Sequence, residues 1–262
     1  MCVCDGPLQY VHRLGNAAWH RRILARNELF VKAAIALAAS VLLATAPRGD
    51  PGTIAAYVTP YYDSSGPVIK IGKFSAGLAS DVPGQFVATI VRMKQQWSTL
   101  NFVELYAGAI RLYDLGYRNE ASYWFYTAQF LGRQYAGLVD QKKLGSIGKP
   151  GFELYHAQDA FFQVAGPSIN GFAFGDVGGL QKIVAAVESR NRSVPDMGAM
   201  YPGVAFVHKA QWPQKNAVVE AGLAKLADYL ATQKSQIALE RAQNGTQARF
   251  AKLSSKRFPG GF

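Results

Sequence analysis

The chain has 262 residues, 49% hydrophobic and 17% charged, with 28 Lys and Arg against 17 Asp and Glu, a formal net charge of +11. This is globular composition, too apolar for a disordered chain. No uncharged apolar run reaches the ~18 residues of a spanning helix, which excludes a polytopic membrane protein.

The amino terminus reads as an address. Lys32 precedes the apolar stretch 33–46, which closes on Ala44-Thr45-Ala46. A positive residue, a short apolar core and an A-x-A end are the three parts of a secretory signal peptide. At about 1.5 Å per residue the stretch is too short to span a ~30 Å hydrocarbon core, so it is expected to be cleaved, leaving no stable membrane anchor. Pro47 beside the expected cut works against a peptidase. A translation start near Val31 would give a leader of ordinary length. The competing reading is a buried Ala-rich helix. Cys2 and Cys4, the only cysteines, both lie in the leader. The exported chain therefore has neither a disulfide nor a lipid-attachment thiol.

Residues 54–74 carry Tyr57, Val58, Tyr61 and Tyr62, then Asp63-Ser-Ser-Gly66, then Val68 to Phe74 in rough alternation, and predict a small β-hairpin. From Asp81 the period turns helical. Pro83 suits a first turn, with Phe86, Ile90, Met93 and Trp97 following at helical spacing. Asn101 is the expected N-cap of a helix to Leu115, and Gly116 stands where a left-handed C′ residue is wanted. A third helix, about 119–139, is apolar nearly all round and is expected to be central. A fourth covers 152–165, Pro167 to Gly175 reads as an apolar loop, and Asp176 caps a fifth helix. Residues 191–213 are irregular but apolar, and a last helix covers about 214–243, ending at Asn244-Gly245. The fold class expected is mainly α, an irregular multi-helix domain with a small N-terminal β-hairpin. Its parts are a leader 1–46, the hairpin segment 47–80, the helical domain 81–245 and a basic flexible tail 246–262. The tail region has few base-stacking aromatics, Phe250, Phe258 and Phe262, so no nucleic acid is expected.

The second and third helices resemble a tetratricopeptide-type helical hairpin. Gly116 at the turn, then Ala121, Phe125 and Ala128, match that repeat's second-helix positions, where small residues let two helices approach closely. Arg133 stands near the repeat's usual proline, and Gly108 replaces a usual leucine. No second copy follows one period of ~34 residues later, so the resemblance implies a single hairpin within an irregular domain and not an array. The wider pattern, through Gly151-Phe-Glu-Leu154, is similar to secreted bacterial proteins, and that resemblance implies no activity.

One constellation could carry chemistry. Glu153, His156 and Asp159 follow at spacings of three on the fourth helix, so Glu153 could orient His156 as a general base. The competing reading is a solvated polar edge. Zinc would need a further nitrogen or sulfur ligand, and after the leader only His208 remains; neither metal nor cofactor is expected. Ser75 is out of register for G-x-S-x-G, and Gly175-Asp-Val-Gly-Gly179 lacks the phosphate-loop lysine. The apolar segment 191–213 packs either on its own core or on a partner. If on a partner, Tyr201, Phe206 and Trp212 are the expected anchors. The function expected is a periplasmic or secreted, non-catalytic protein-binding factor of adaptor or toxin-neutralising (immunity) type, whose partner is another envelope or secreted protein. The alternative is an envelope hydrolase using His156 with Glu153.

Overall fold

The helical periodicities correspond to ten α-helices among the residues that a computed structural model of the chain describes, 50–54, 57–58, 68–69, 72–191 and 193–261. They are α1 Ser75–Ala79, α2 Pro83–Gln95, α3 Phe102–Asp114, α4 Arg118–Leu138, α5 Pro150–Ala173, α6 Val177–Arg190, α7 Met197–Met200, α8 Trp212–Thr232, α9 Lys234–Gln243 and α10 Thr246–Phe250. Among the described residues no helix is long and apolar enough to cross a membrane. The expected signal peptide lies outside the described residues.

The centre of the fold is the α3–α4 pair. Asn101 opens α3 with a capping box: its side chain accepts the Glu104 N–H at 3.0 Å, and the Glu104 carboxylate accepts the Asn101 N–H at 2.9 Å. Gly116 closes α3 at φ 87°, a conformation a Cβ would strain. There the Tyr117 N–H reaches the Leu112 carbonyl at 2.8 Å and the Gly116 N–H reaches Tyr113, the paired bonds of a Schellman turn. The chain then folds back at once into α4, and Gly108 lies against the Trp124 ring. Helix α4 is central as expected. Only Asn119 and Arg133 of its residues are exposed, and α3, α5, α6 and α8 all pack against it. Asp176 caps α6 through the Gly179 N–H at 2.9 Å, as read from the sequence.

Four expectations are corrected. The β-hairpin over 54–74 is not shown. The two-residue strands β1, Tyr57–Val58, and β2, Val68–Ile69, pair in parallel, Tyr57 beside Val68, whereas hairpin strands are antiparallel. Residues 72–79 are helical, and the expected turn Asp63–Gly66 lies outside the described residues. The loop expected from Pro167 to Gly175 is for most of its length helix, because α5 continues through Pro167 to Ala173. Proline's fixed φ is helical, and the one hydrogen bond it forgoes would have gone to the carbonyl of Gln163, an exposed residue that water can serve. The last helix is two, α8 and α9, broken at Gln233 (φ −110°, ψ 20°). Thr232 Oγ1 donates back to the Asp228 carbonyl at 2.8 Å, a bond that bends helices. Finally, the basic tail packs on the domain. Phe250 sits over Gly171, and Phe258 is 3% exposed between Tyr117 and Lys94.

Candidate functional site

Helix α5 begins at Pro150, and the loop that follows α7 lies across its start. Gly203 comes within reach of the Pro150 ring, and the Tyr135 hydroxyl donates to the Gly151 carbonyl at 3.2 Å from beneath. This brings both sequence-predicted groups to one end of the domain. An antiparallel bridge between Val139 and Phe206 fixes the loop there: the Asp140 N–H donates to the Ala205 carbonyl, and the Val207 N–H to the Leu138 carbonyl, both at 2.9 Å.

The expected partner anchors divide. Tyr201 is not a surface residue, a correction to its reading as an anchor. It is 2% exposed, its ring 4.7 Å from Tyr135 and 5.8 Å from Phe102, and its hydroxyl accepts the Phe102 N–H at the start of α3. Burial holds the proton on that phenol, raising its pKa far above the ordinary value. Tyr201 therefore belongs to the core. Phe206 and Trp212 are half-buried and meet edge to face at 6.1 Å, while the Trp212 indole N–H donates to the Val207 carbonyl at 2.9 Å. A ring held by its own polar edge in this way is a fixed element of the surface.

The expected catalytic group does not assemble. Glu153, His156 and Asp159 are all exposed. Glu153 Oε1 accepts the Gly148 N–H at 2.7 Å, a bond that ties the preceding turn to the first turn of α5, so this carboxylate is engaged away from His156. The His156 ring instead packs against Phe152 at 4.5 Å and Tyr155 at 5.5 Å. Among the described residues no three His, Cys, Asp or Glu side chains gather as metal ligands.

What these residues do form is an aromatic end. Phe152, Tyr155, Phe206 and Trp212 are half-buried there, and Ile147, in the turn before α5, is 83% exposed. Lys142, Lys143, Lys149 and Lys209 are exposed around it. Gln141 reaches the Tyr155 hydroxyl at 3.4 Å, and the Lys209 ammonium stands 5.8 Å over the Trp212 ring. Lys142, Lys149 and Lys209 leave this end with positive charge beside the exposed Glu153 and Asp159 and the Lys143–Asp140 pair, which suits an apolar side chain flanked by carboxylates.

A second feature lies where the end of α2, the start of α4, the end of α6 and residues 260–261 meet. A cavity of about 540 Å³ is lined by Lys94, Tyr123, Ala186, Ser189, Arg190, Gly260 and Gly261. Lys94 Nζ is 2.7 Å from the buried carboxylate of Glu120, which also accepts the Trp124 indole N–H at 2.9 Å. The Arg190 guanidinium lies 4.8 Å over the Trp97 ring and donates to the Tyr123 hydroxyl at 3.2 Å, and Trp97 and Tyr123 are themselves stacked. Sequence reasoning missed this group. Lys94, Glu120 and Arg190 fall on three different helices, and the one local signal is the four-residue step from Glu120 to Trp124.

No protein-family model, no curated protein and no solved structure matches this chain.

Proposed function

We propose that the chain is an exported, non-catalytic protein-binding factor of the bacterial envelope, of adaptor or toxin-neutralising type, and that it engages its partner through the aromatic end of α5 and the 204–212 loop. The observation that supports this is that Phe152, Tyr155, Phe206 and Trp212 are half-buried at one end of the domain, with exposed lysines in the adjoining segments and Lys209 over the Trp212 ring. Fixed aromatic rings lose little side-chain entropy on association and often carry most of the binding energy. The partner is an envelope or secreted protein presenting an apolar side chain among acidic ones. The α3–α4 hairpin, read as a single tetratricopeptide-like unit, serves as the scaffold behind this face. The leader pattern at 32–46 supports export. The hydrolase alternative is less favoured, because Glu153 Oε1 accepts the Gly148 N–H and the His156 ring packs on Phe152 and Tyr155.

The test is to immobilise the exported chain, pass envelope extracts over it at moderate salt, and identify what is retained in stoichiometric amount. Ile147→Asp and Lys209→Glu leave the core untouched and are expected to weaken retention about tenfold each, with Trp212→Ala weakening it further. Retention unaffected by all three variants, or an empty column, would overturn the proposal.

A further inference from the structure

The cavity between α2, α4, α6 and residues 260–261 is separate from the aromatic end, and its charges do not cancel. Lys94, in the lining, pairs at 2.7 Å with Glu120, which is 4% exposed behind it. Arg190 has no carboxylate partner among the described residues; its partners there are the Trp97 face and the Tyr123 hydroxyl. The guanidinium stands against the Trp97 ring and spends one N–H on the Tyr123 hydroxyl, and a guanidinium has five N–H donors, whose fork matches a carboxylate. Among the described residues Lys94, Glu120 and Arg190 sum to one positive charge, which fits a single carboxylate better than a phosphate ester of charge near −2.

The remaining walls set the ligand's body. Ala186 and the two glycines present no bulk, and the cavity of about 540 Å³ lies in the range of small-molecule sites. Gly260 adopts φ 63°, which favours glycine, and a Cβ on Gly261 would come 3.0 Å from Glu120 Oε2, so this wall passes close to the carboxylate. Lys94 Nζ also donates to the Gly260 carbonyl at 2.9 Å, tying this wall to α2. We infer that this cavity is a binding site for a small organic monocarboxylate of amino-acid or dipeptide size, held by Arg190 on the Trp97 platform.

The test titrates N-acetylphenylalanine, and separately its uncharged amide, into the full chain labelled with ¹⁵N, reading the indole N–H signals by NMR. The chain has 4 tryptophans. Trp97 lies under Arg190 and Trp124 bonds Glu120, whereas Trp212 is at the aromatic end. The expected result is saturable movement of the Trp97 and Trp124 signals with the acid, none at Trp212, and binding at least about tenfold weaker for the amide. Arg190→Gln, an exposed position whose loss leaves the core intact, is expected to weaken the acid about tenfold or more. Equal binding of acid and amide, an unchanged affinity in Arg190→Gln, or no saturable movement at millimolar acid would each overturn the assignment. Ile147→Asp leaves this binding unchanged, which separates its failure from that of the protein-binding reading.

Discussion

Asp114 sits at the end of α3, where the residues after the leader join the domain. Its Oδ1 accepts the Ile54 N–H at 2.7 Å, while Tyr113 donates to the Pro51 carbonyl at 2.7 Å and Arg118 to Gly52. Burial pushes the carboxyl up to about 7, against the opposing pull of the Ile54 N–H, Arg111 and Arg118. Its folded pKa is therefore above the unfolded one, and the folded state keeps the proton longer. The stability this group contributes is full below about pH 4 and is lost as pH rises through about 7. Asp114→Asn keeps the acceptor and removes the charge. It is expected to raise stability at pH 8 by on the order of 1 kcal/mol, with no gain at pH 4, in urea unfolding at the two pH values. An equal effect at both would exclude the titration as its cause. Gly108 makes the opposite case. Alanine there would gain about 1 kcal/mol of helix propensity, but its Cβ would stand 2.5 Å from the Trp124 ring, which is fully buried and pinned by Glu120. Overpacking costs roughly 1–3 kcal/mol, so Gly108→Ala is expected to lower the melting temperature despite the better propensity.

At the scale of elements, the helices whose ends depend on a neighbouring side chain or glycine were legible, because those signals act within one turn. Asn101, Gly116 and Asp176 each stand at the helix end assigned to them. Asn101→Ala removes the side-chain acceptor of the Glu104 N–H and leaves the reciprocal bond from the residue 101 N–H to the Glu104 carboxylate; it is expected to cost about 1 kcal/mol, read as a lower urea midpoint at unchanged slope. Pro167 misled because proline usually ends a helix, and nothing local reports that the carbonyl it leaves unpaired belongs to an exposed Gln163. The break at Gln233 has neither Gly nor Pro to announce it. The candidate sites were legible only in part. Phe206 and Trp212 were found by composition, but the loop's fixing to Val139 depends on a pairing 67 residues apart (206 minus 139). The cavity joins Lys94, Arg190 and Gly260, whose separations carry no periodicity at all.

The whole molecule is closed by its last described residues, and this is where a flexible tail and a structural strap predict different outcomes. Arg118 donates to the Ser254 carbonyl at 2.6 Å, Ser255 Oγ accepts the Asn119 N–H at 2.9 Å, and the Lys256 N–H reaches Gly116 at 2.8 Å. All three fall on the α3–α4 turn and the first residues of α4, so the strap grips the hairpin at the point where Gly116 reverses the chain. Phe258 then stacks edge to face on Tyr117 at 5.2 Å, with the Lys94 ammonium 5.2 Å from its ring. A solvated tail would bury no such side chain, and truncating it would leave stability unchanged. With the strap, Phe258→Ala opens a space between α2 and the hairpin and is expected to cost about 3 kcal/mol. At roughly 2–4 °C per kcal/mol for a domain of this size, that lowers the melting temperature by about 6–12 °C in a calorimetric scan. Lys256→Ala and Arg257→Ala, both exposed, each remove a charge beside Phe258 without the ring and should move it by no more than about 2 °C. A Phe258→Ala melting temperature within that smaller range would show that the segment is not a strap, and that the hairpin turn holds without it.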